Sequence, residues 1–355
     1  MTGADRETST LSATLALQAA SCDALGCTFY GDLLRAMATD ADAGGPVAIA
    51  LAPYAAAPPP DAYALRVLGG VQRRVLAGAE PELAAHFPSV GGDGDAQAAW
   101  LLVRALVARG CPEIDDALLR PPQTNEVGRA AALVGGFLVV AQETGLPVRA
   151  LEVGTSAGLN LRLDRFRYEQ GGHGFGPVDA PVRFEGLWPG ATPPFGAPLE
   201  IVERAGCDRS PIDPTDRDGR LRLLSYVWPD PPERFTRARA ACAIAAEVPA
   251  TVDTADAVEW LPEQLAEVRA GVATVVFHSV FWQYLSDGAR ASLRATLHEA
   301  GARARPDAPL AWLRLEPDPA VMTHPELRLT VWPGGQERHL ADAHFHLGPI
   351  HWPPP

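Results

Sequence analysis

Val148-Arg149-Ala150-Leu151-Glu152-Val153-Gly154-Thr155-Ser156-Ala157-Gly158-Leu159-Asn160-Leu161 is the stretch that decides how this chain folds. Val148–Val153 reads as a short buried strand ending in an acid, Glu152. A turn of small residues follows, Gly154 to Gly158, and then Leu159, Leu161 and Leu163 with Asn160 between them, so the chain is expected to enter a helix at once. A strand, a side-chain-poor turn and a helix start form a place where backbone approaches a ligand and N–H groups point at it. The acid beside the turn suits a ligand carrying an amine or hydroxyls better than a bare pyrophosphate. A tight connection with no ligand is the competing explanation of the same residues.

The run Glu152-x-Gly154-x-Ser156-x-Gly158 resembles the first motif of S-adenosylmethionine-dependent methyltransferases, acidic-x-Gly-x-Gly-x-Gly, with Ser156 in the middle-glycine position. A wider set of segments resembles the bacterial family of unknown function DUF2332: Gln123-Thr124-Asn125-Glu126, Glu152 to Tyr168, and Gly206-Cys207-Asp208 through Trp228-Pro229-Asp230. That resemblance covers nearly the whole chain and implies a methyltransferase-like character, hence a fold and a ligand class more than a reaction.

Outward from the turn, the pattern becomes strand–helix alternation, the signature of an α/β sheet. Strands are expected at Leu199–Arg204 running on to Asp208, at Ala250–Val252, and at Leu310–Leu315. Val272–His278 is an apolar, β-branched run that should be a buried central strand. Leu327–Val331 and Arg338–His346 should close the sheet as an antiparallel pair. The fold class is therefore α/β, a Rossmann-like sheet of the S-adenosylmethionine methyltransferase type. Residues 1–125 carry helical periodicity (Leu11 and Leu15; Phe29, Leu33, Leu34 and Met37) and form a helical N-terminal cap, with Pro58–Asp61 as a stop and a new helix start. Residues 126–355 form the α/β domain. Residues 162–198 are a Gly- and Pro-rich insertion with Phe166–Tyr168 and Val182–Phe184 as hairpin strands. Its aromatic residues, Phe175 and Trp188 among them, are too many for a solvated loop, so it should pack as a lid against the cap or build a dimer interface.

Open α/β sheets bind ligands at the carboxyl ends of their strands, so the strand ends can be treated as one site. For the cofactor, S-adenosylmethionine, the candidates are Glu152, Gly154, Thr155, Ser156, Gly158, Asn160, Asp208 against the ribose hydroxyls, and Asp256 near the adenine. His278 ends the strand facing the reacting group and is the candidate general base, its ordinary pKa lying near neutrality. Glu126 and Tyr284 join it as catalytic candidates, with Gln123, Asn125 and Trp282 for the acceptor. Each has a structural alternative: Asn125 as cap of the helix after it, Asp256 as an N-cap, His278 as a satisfied histidine. Gly158→Val is expected to block the ligand without unfolding the sheet. His344, His346 and Asp342 share strand parity, but lie after the sheet has closed, so no metal is expected.

Composition excludes several classes. The 355 residues include no lysine, all 30 basic residues being arginine. A phosphate-loop NTPase needs its lysine, and pyridoxal-phosphate and Schiff-base chemistry need an amine nucleophile. The net charge of −13 argues against nucleic acid. No run approaches the roughly 18 apolar residues that span a membrane. Met1–Thr10 lacks a basic-then-apolar pattern, so a cytoplasmic chain is expected. The five scattered cysteines read as buried thiols. The expectation is a methyltransferase acting on a small organic acceptor, as a monomer or homodimer. The rival is a metabolite-binding or interaction protein without methyl transfer.

Overall fold

The protein, described here from a computed structural model, is defined for residues 3–55, 57, 62–318 and 323–353. The stop and helix start expected at Pro58–Asp61 lie outside these residues. The chain divides into two units, one of residues 1–124 and 216–239, the other of residues 125–215 and 240–355.

The first unit is helical. Its leading segment holds α1 (Gly3–Ala24), α2 (Thr28–Asp42), α3 (Pro46–Leu51), α4 (Tyr63–Leu76), α5 (Pro81–Ala84), α6 (Ala96–Arg109) and α7 (Pro112–Leu119). Leu33, Leu34, Met37, Leu68, Val71 and Val103 fall on faces spaced three and four residues apart and are wholly or almost wholly buried. Residues 216–239 complete this unit. The buried Gln72 amide donates to the carbonyls of Leu224 (3.0 Å) and Val227 (2.6 Å), and Asp230 accepts the Phe29 N–H at the start of α2 at 2.9 Å. Asp230 thus supplies the cap that Cys27, the residue before α2, does not.

The second unit opens with α8 (Ala130–Thr144) and β1 (Val148–Val153). The insertion then carries β2 (Arg167–Gln170), β3 (His173–Phe175) and β4 (Arg183–Glu185), before β5 (Ile201–Asp208). After α9 (Arg217–Ser225) and α10 (Pro232–Glu247) come β6 (Thr251–Thr254), α11 (Ala257–Gln264), β7 (Ala273–Ser279), α12 (Asp287–Ala302), β8 (Leu310–Pro317), β9 (Pro325–Trp332) and β10 (Glu337–Asp342). The main sheet has seven strands in the order β10-β9-β8-β7-β1-β5-β6. Strands β6, β5, β1, β7 and β8 run parallel, and β9 and β10 each reverse on the one before.

All six residues of β1 are buried, as a strand covered on both faces requires. The β-branched run expected at the centre is β7, lying between β1 and β8 with Leu151 opposite Val276. The period of two assigns its side chains. Val276 joins Leu151, Val153, Trp260, Leu293 and Leu297 in one buried cluster, and Phe277 meets Phe137 of α8 edge to face at 5.1 Å. Helix α8 can lie close to the sheet because Gly136 has no Cβ: one there would stand 2.2 Å from Leu313.

Three local expectations are corrected. The chain enters not an α-helix after the turn but a seven-residue 3₁₀ stretch, Leu159–Arg165, broken at Arg162. Phe166–Tyr168 and Val182–Phe184 are not a hairpin: β2 pairs antiparallel with β3, and β4 lies parallel to β2. β10 ends at Asp342, so His344 and His346 lie beyond the strand. The insertion also supplies a core of its own. Tyr168 stacks on Phe184 at 5.3 Å and meets Trp188, which packs edge-on against Phe195 at 5.2 Å. Leu187 accepts the Ile350 N–H at 2.7 Å, tying this core to the end of the chain.

Candidate functional site

The carboxyl ends of β1, β5, β6 and β7 lie along one edge, and the strand order reverses at β1, whose neighbours are β5 and β7. The turn at this switch point contains three left-handed residues, Gly154 (φ +70°), Ser156 (φ +53°) and Gly158 (φ +69°). Serine in this region is strained by about 1–3 kcal/mol, so its surroundings must hold it there. They do so through nearly every backbone donor of the turn. Gly154 and Thr155 N–H donate to the Cys207 carbonyl, Gly158 N–H to that of Thr155, Ser156 N–H to Asp208 Oδ2, and Leu159 N–H to Asn125 Oδ1. The expectation of N–H groups aimed at a ligand is therefore corrected: these donors are engaged within the protein.

What the turn leaves open is acceptors. Ser156 Oγ and Asn160 Oδ1 are buried without a hydrogen-bond partner, although Asn160 Nδ2 donates to the Glu126 carbonyl at 3.3 Å. Glu152 is 2% exposed and accepts the Thr155 hydroxyl at 2.6 Å. Burial pushes its carboxyl up to about 8, against the pull of that hydroxyl and of Arg162. The same burial pulls Arg162 down to about 10, while its guanidinium is held by the Gly158 and Val248 carbonyls. At neutral pH Glu152 is therefore largely protonated beside a charged arginine.

Asp208 accepts Ser156 N–H and Ser210 N–H, both at 2.9 Å, so it positions the turn. Asp256 caps α11 through the Val258 N–H and pairs with Arg209; the Val258 bond and the guanidinium hold its carboxyl below the usual range. Asn125 caps the 3₁₀ stretch after the turn instead of the helix that follows it in sequence. That neighbouring capping role falls to Glu126, which takes Gly128 N–H on Oε1 (2.9 Å) and His346 Nδ1 on Oε2 (3.1 Å). Asn125, Glu126, Asn160 and the turn are thus one knot, whereas Gln123 belongs to the first unit.

His278 is fully buried, with both ring nitrogens engaged. Nδ1 lies 2.6 Å from Glu316 Oε1, and Nε2 accepts the Trp312 indole N–H at 3.1 Å. That donor fixes the proton of a neutral ring on Nδ1. Both ring nitrogens of the expected general base are thus engaged within the protein. It stacks on Trp282 at 5.1 Å, while Tyr284 points to solvent at 75% exposure. Glu316 Oε1 also accepts Phe281 and Trp282 N–H.

Phe281, absent from the sequence-based candidates, connects the two clusters. Its ring covers Gly154, where a Cβ would lie 2.1 Å from it. The residue before it, Val280, is β-branched with φ +50°, a strained conformation. Gly158 does not face open space: a Cβ there would meet Arg162 Nη1 at 2.9 Å. Gly158→Val should therefore lose about 1–3 kcal/mol of stability in urea unfolding, contrary to the expectation of a purely steric ligand block.

The family described as an uncharacterized protein conserved in bacteria (DUF2332) matches residues 12–352. The chain belongs to that family. No curated protein and no solved structure matches this DUF2332 protein. Its five cysteines are buried and form no disulfide. Among the described residues no helix is long and apolar enough to cross a membrane. His324, Glu326 and Asp342 bring ligand-capable atoms within 4.8 Å of one another. Glu326 is already paired with Arg328 and Asp342 with His339, so these acids have partners without an ion. His344 is not part of that group, and His346 is on Glu126.

Proposed function

We propose that this DUF2332 protein binds S-adenosylmethionine at the carboxyl edge of its sheet and transfers the methyl group to a small organic acceptor. The observation that carries the proposal is the sheet itself. Its parallel strands lie in the spatial order third, second, first, fourth, fifth (β6-β5-β1-β7-β8), with acids at or just after the ends of the first three, and with the Glu152–Gly158 turn at the reversal. This order supports the Rossmann-like arrangement expected of the methyltransferase class. The residues present fit the cofactor in kind: Ser156 Oγ and Asn160 Oδ1 are buried acceptors lacking donors, which an ammonium or hydroxyl group would supply.

Bound there, S-adenosylmethionine supplies an already activated methyl group, so the chain's task is positioning. Glu152 and the two orphan acceptors would hold the amino-acid end. Asp208 would keep the turn closed. Phe281 has to leave Gly154 for the ligand to enter.

Calorimetry and thermal shift with S-adenosylmethionine and S-adenosylhomocysteine test this. Phe281→Ala is expected to bind about fivefold or more tightly than wild type, because the competent state no longer requires the ring to move. No heat and no shift with either ligand, in wild type and Phe281→Ala alike, overturns the proposal. A second reading, a metabolite-binding scaffold without methyl transfer, is favoured by the Phe281 ring over Gly154 and by the internally bonded turn donors. That reading gains if only non-nucleoside ligands bind.

A further inference from the structure

A cavity of about 360 Å³ lies between α12 and the β8–β10 end of the sheet, lined by Trp282, Arg294, Arg314, Glu316, Arg328 and Glu337 among others. That volume falls at the small end of ligand pockets, roughly 300–1,000 Å³. Its floor has an unusual charge pattern. Across the antiparallel β8–β9 pair, Arg314 stands opposite Arg328, and Glu316 opposite Glu326. Like charges directly opposite each other oppose pairing. Glu337 relieves the arginine row by pairing with both Arg314 and Arg328. The glutamate row keeps an open group: Glu316 Oε2 is buried without a partner, although Oε1 is fixed by His278 and two backbone N–H groups.

The cationic side has open groups as well. Arg314 lies over the Trp312 ring at 4.3 Å, and its Nε is buried without a partner. Arg294, reaching in from α12, lies 5.3 Å over the Trp282 ring and forms no ion pair with a carboxylate among the described residues. Trp282 thus contacts both the His278 ring and the Arg294 guanidinium. A cavity with an orphan carboxylate oxygen at one point and under-paired guanidinium groups at another is complementary to a molecule carrying both charges. Neither a simple anion nor a simple cation would satisfy both ends, and an apolar ligand would satisfy neither.

We propose that this cavity binds a small zwitterion of the α-amino-acid class, its carboxylate on Arg294 and Arg314 and its ammonium group on Glu316 Oε2. The site does not depend on the adenosyl reading, because its residues lie outside the Glu152–Gly158 turn. The test uses the full chain and a thermal-shift panel of the twenty free L-amino acids, followed by calorimetry of the tightest against its desamino analogue. The expected result is at least one amino acid that raises the melting temperature and binds about tenfold or more tightly than its desamino analogue, as a hydrogen-bonded charge pair requires. Arg294→Gln, a change at an exposed position on α12, should weaken that amino acid about tenfold or more. Glu316→Gln should remove the preference over the desamino analogue. No shift from any of the twenty overturns the proposal, as does an amino acid that binds Arg294→Gln and Glu316→Gln as tightly as wild type.

Discussion

Replacing Glu152 by glutamine is expected to flatten the pH dependence of this protein's stability. The folded carboxyl is raised from the usual 4.5 to about 8 by burial. Between these values the folded state keeps a proton that the unfolded state has released. Stability therefore falls as pH rises through this window, by up to about 1.4 kcal/mol per unit, and levels off above the folded value. Glutamine keeps an oxygen for the Thr155 hydroxyl and has no proton to lose. The difference between Glu152→Gln and wild type should accordingly grow with pH, and urea unfolding at pH 5, 6.5 and 8 measures it. Parallel curves for the two proteins would mean that Glu152 is ionised in the folded state. The same proton bears on ligand binding. A cationic group docking beside Glu152 favours its ionised form, so binding below pH 8 should release a proton and tighten as pH rises. Calorimetry in buffers of different ionisation enthalpy detects this release.

Trp188→Ala is expected to cost about 3–5 kcal/mol, the range for deleting a buried aromatic side chain. The indole is fully buried between Tyr168 and Phe195. Its removal takes out the centre of the insertion's own core, so protease sensitivity should rise first within residues 162–198. A shift in the denaturant midpoint of under about 1 kcal/mol would mean that the insertion is loosely attached, because such a site would collapse at little cost. The oligomeric state should not change, since a ring with no exposed surface cannot form an interface. This removes Trp188 from the dimer contact that its sequence suggested.

The sheet was legible because its determinants are local. β-branched runs such as Val272–Phe277 and the small-residue turn after Val153 declare strands and a switch point without knowledge of register. Pairings that depend on register were not legible. His278 and Glu316 are 38 residues apart and meet only because β7 and β8 are neighbours. Glu316 could still have been found by the strand-end rule, as it directly follows Leu315. Arg294, Arg314 and Arg328 resemble ordinary surface charges until α12 and β9 bring them to one cavity. Phe281 gave a misleading signal, being one more aromatic in an aromatic run. Asn125 was expected to cap the helix next to it, but its oxygen serves a residue 34 positions away. Side-chain hydrogen bonds to distant backbone leave no periodic trace.

The discontinuous first unit bears on how the chain is made. Its helices receive Leu224, Val227 and Asp230 from a segment that begins only at residue 216. At roughly 5–20 residues per second, the ribosome needs about 5–20 s to add the stretch between residues 124 and 216. During that interval the Gln72 amide nitrogen lacks the Leu224 and Val227 carbonyls, and the start of α2 lacks Asp230. The first part of this protein to be synthesised thus cannot finish folding until residues 125–215 of the second unit have been made. A nascent chain paused within residues 125–215 would present an incomplete helical surface to the chaperones near the ribosome exit.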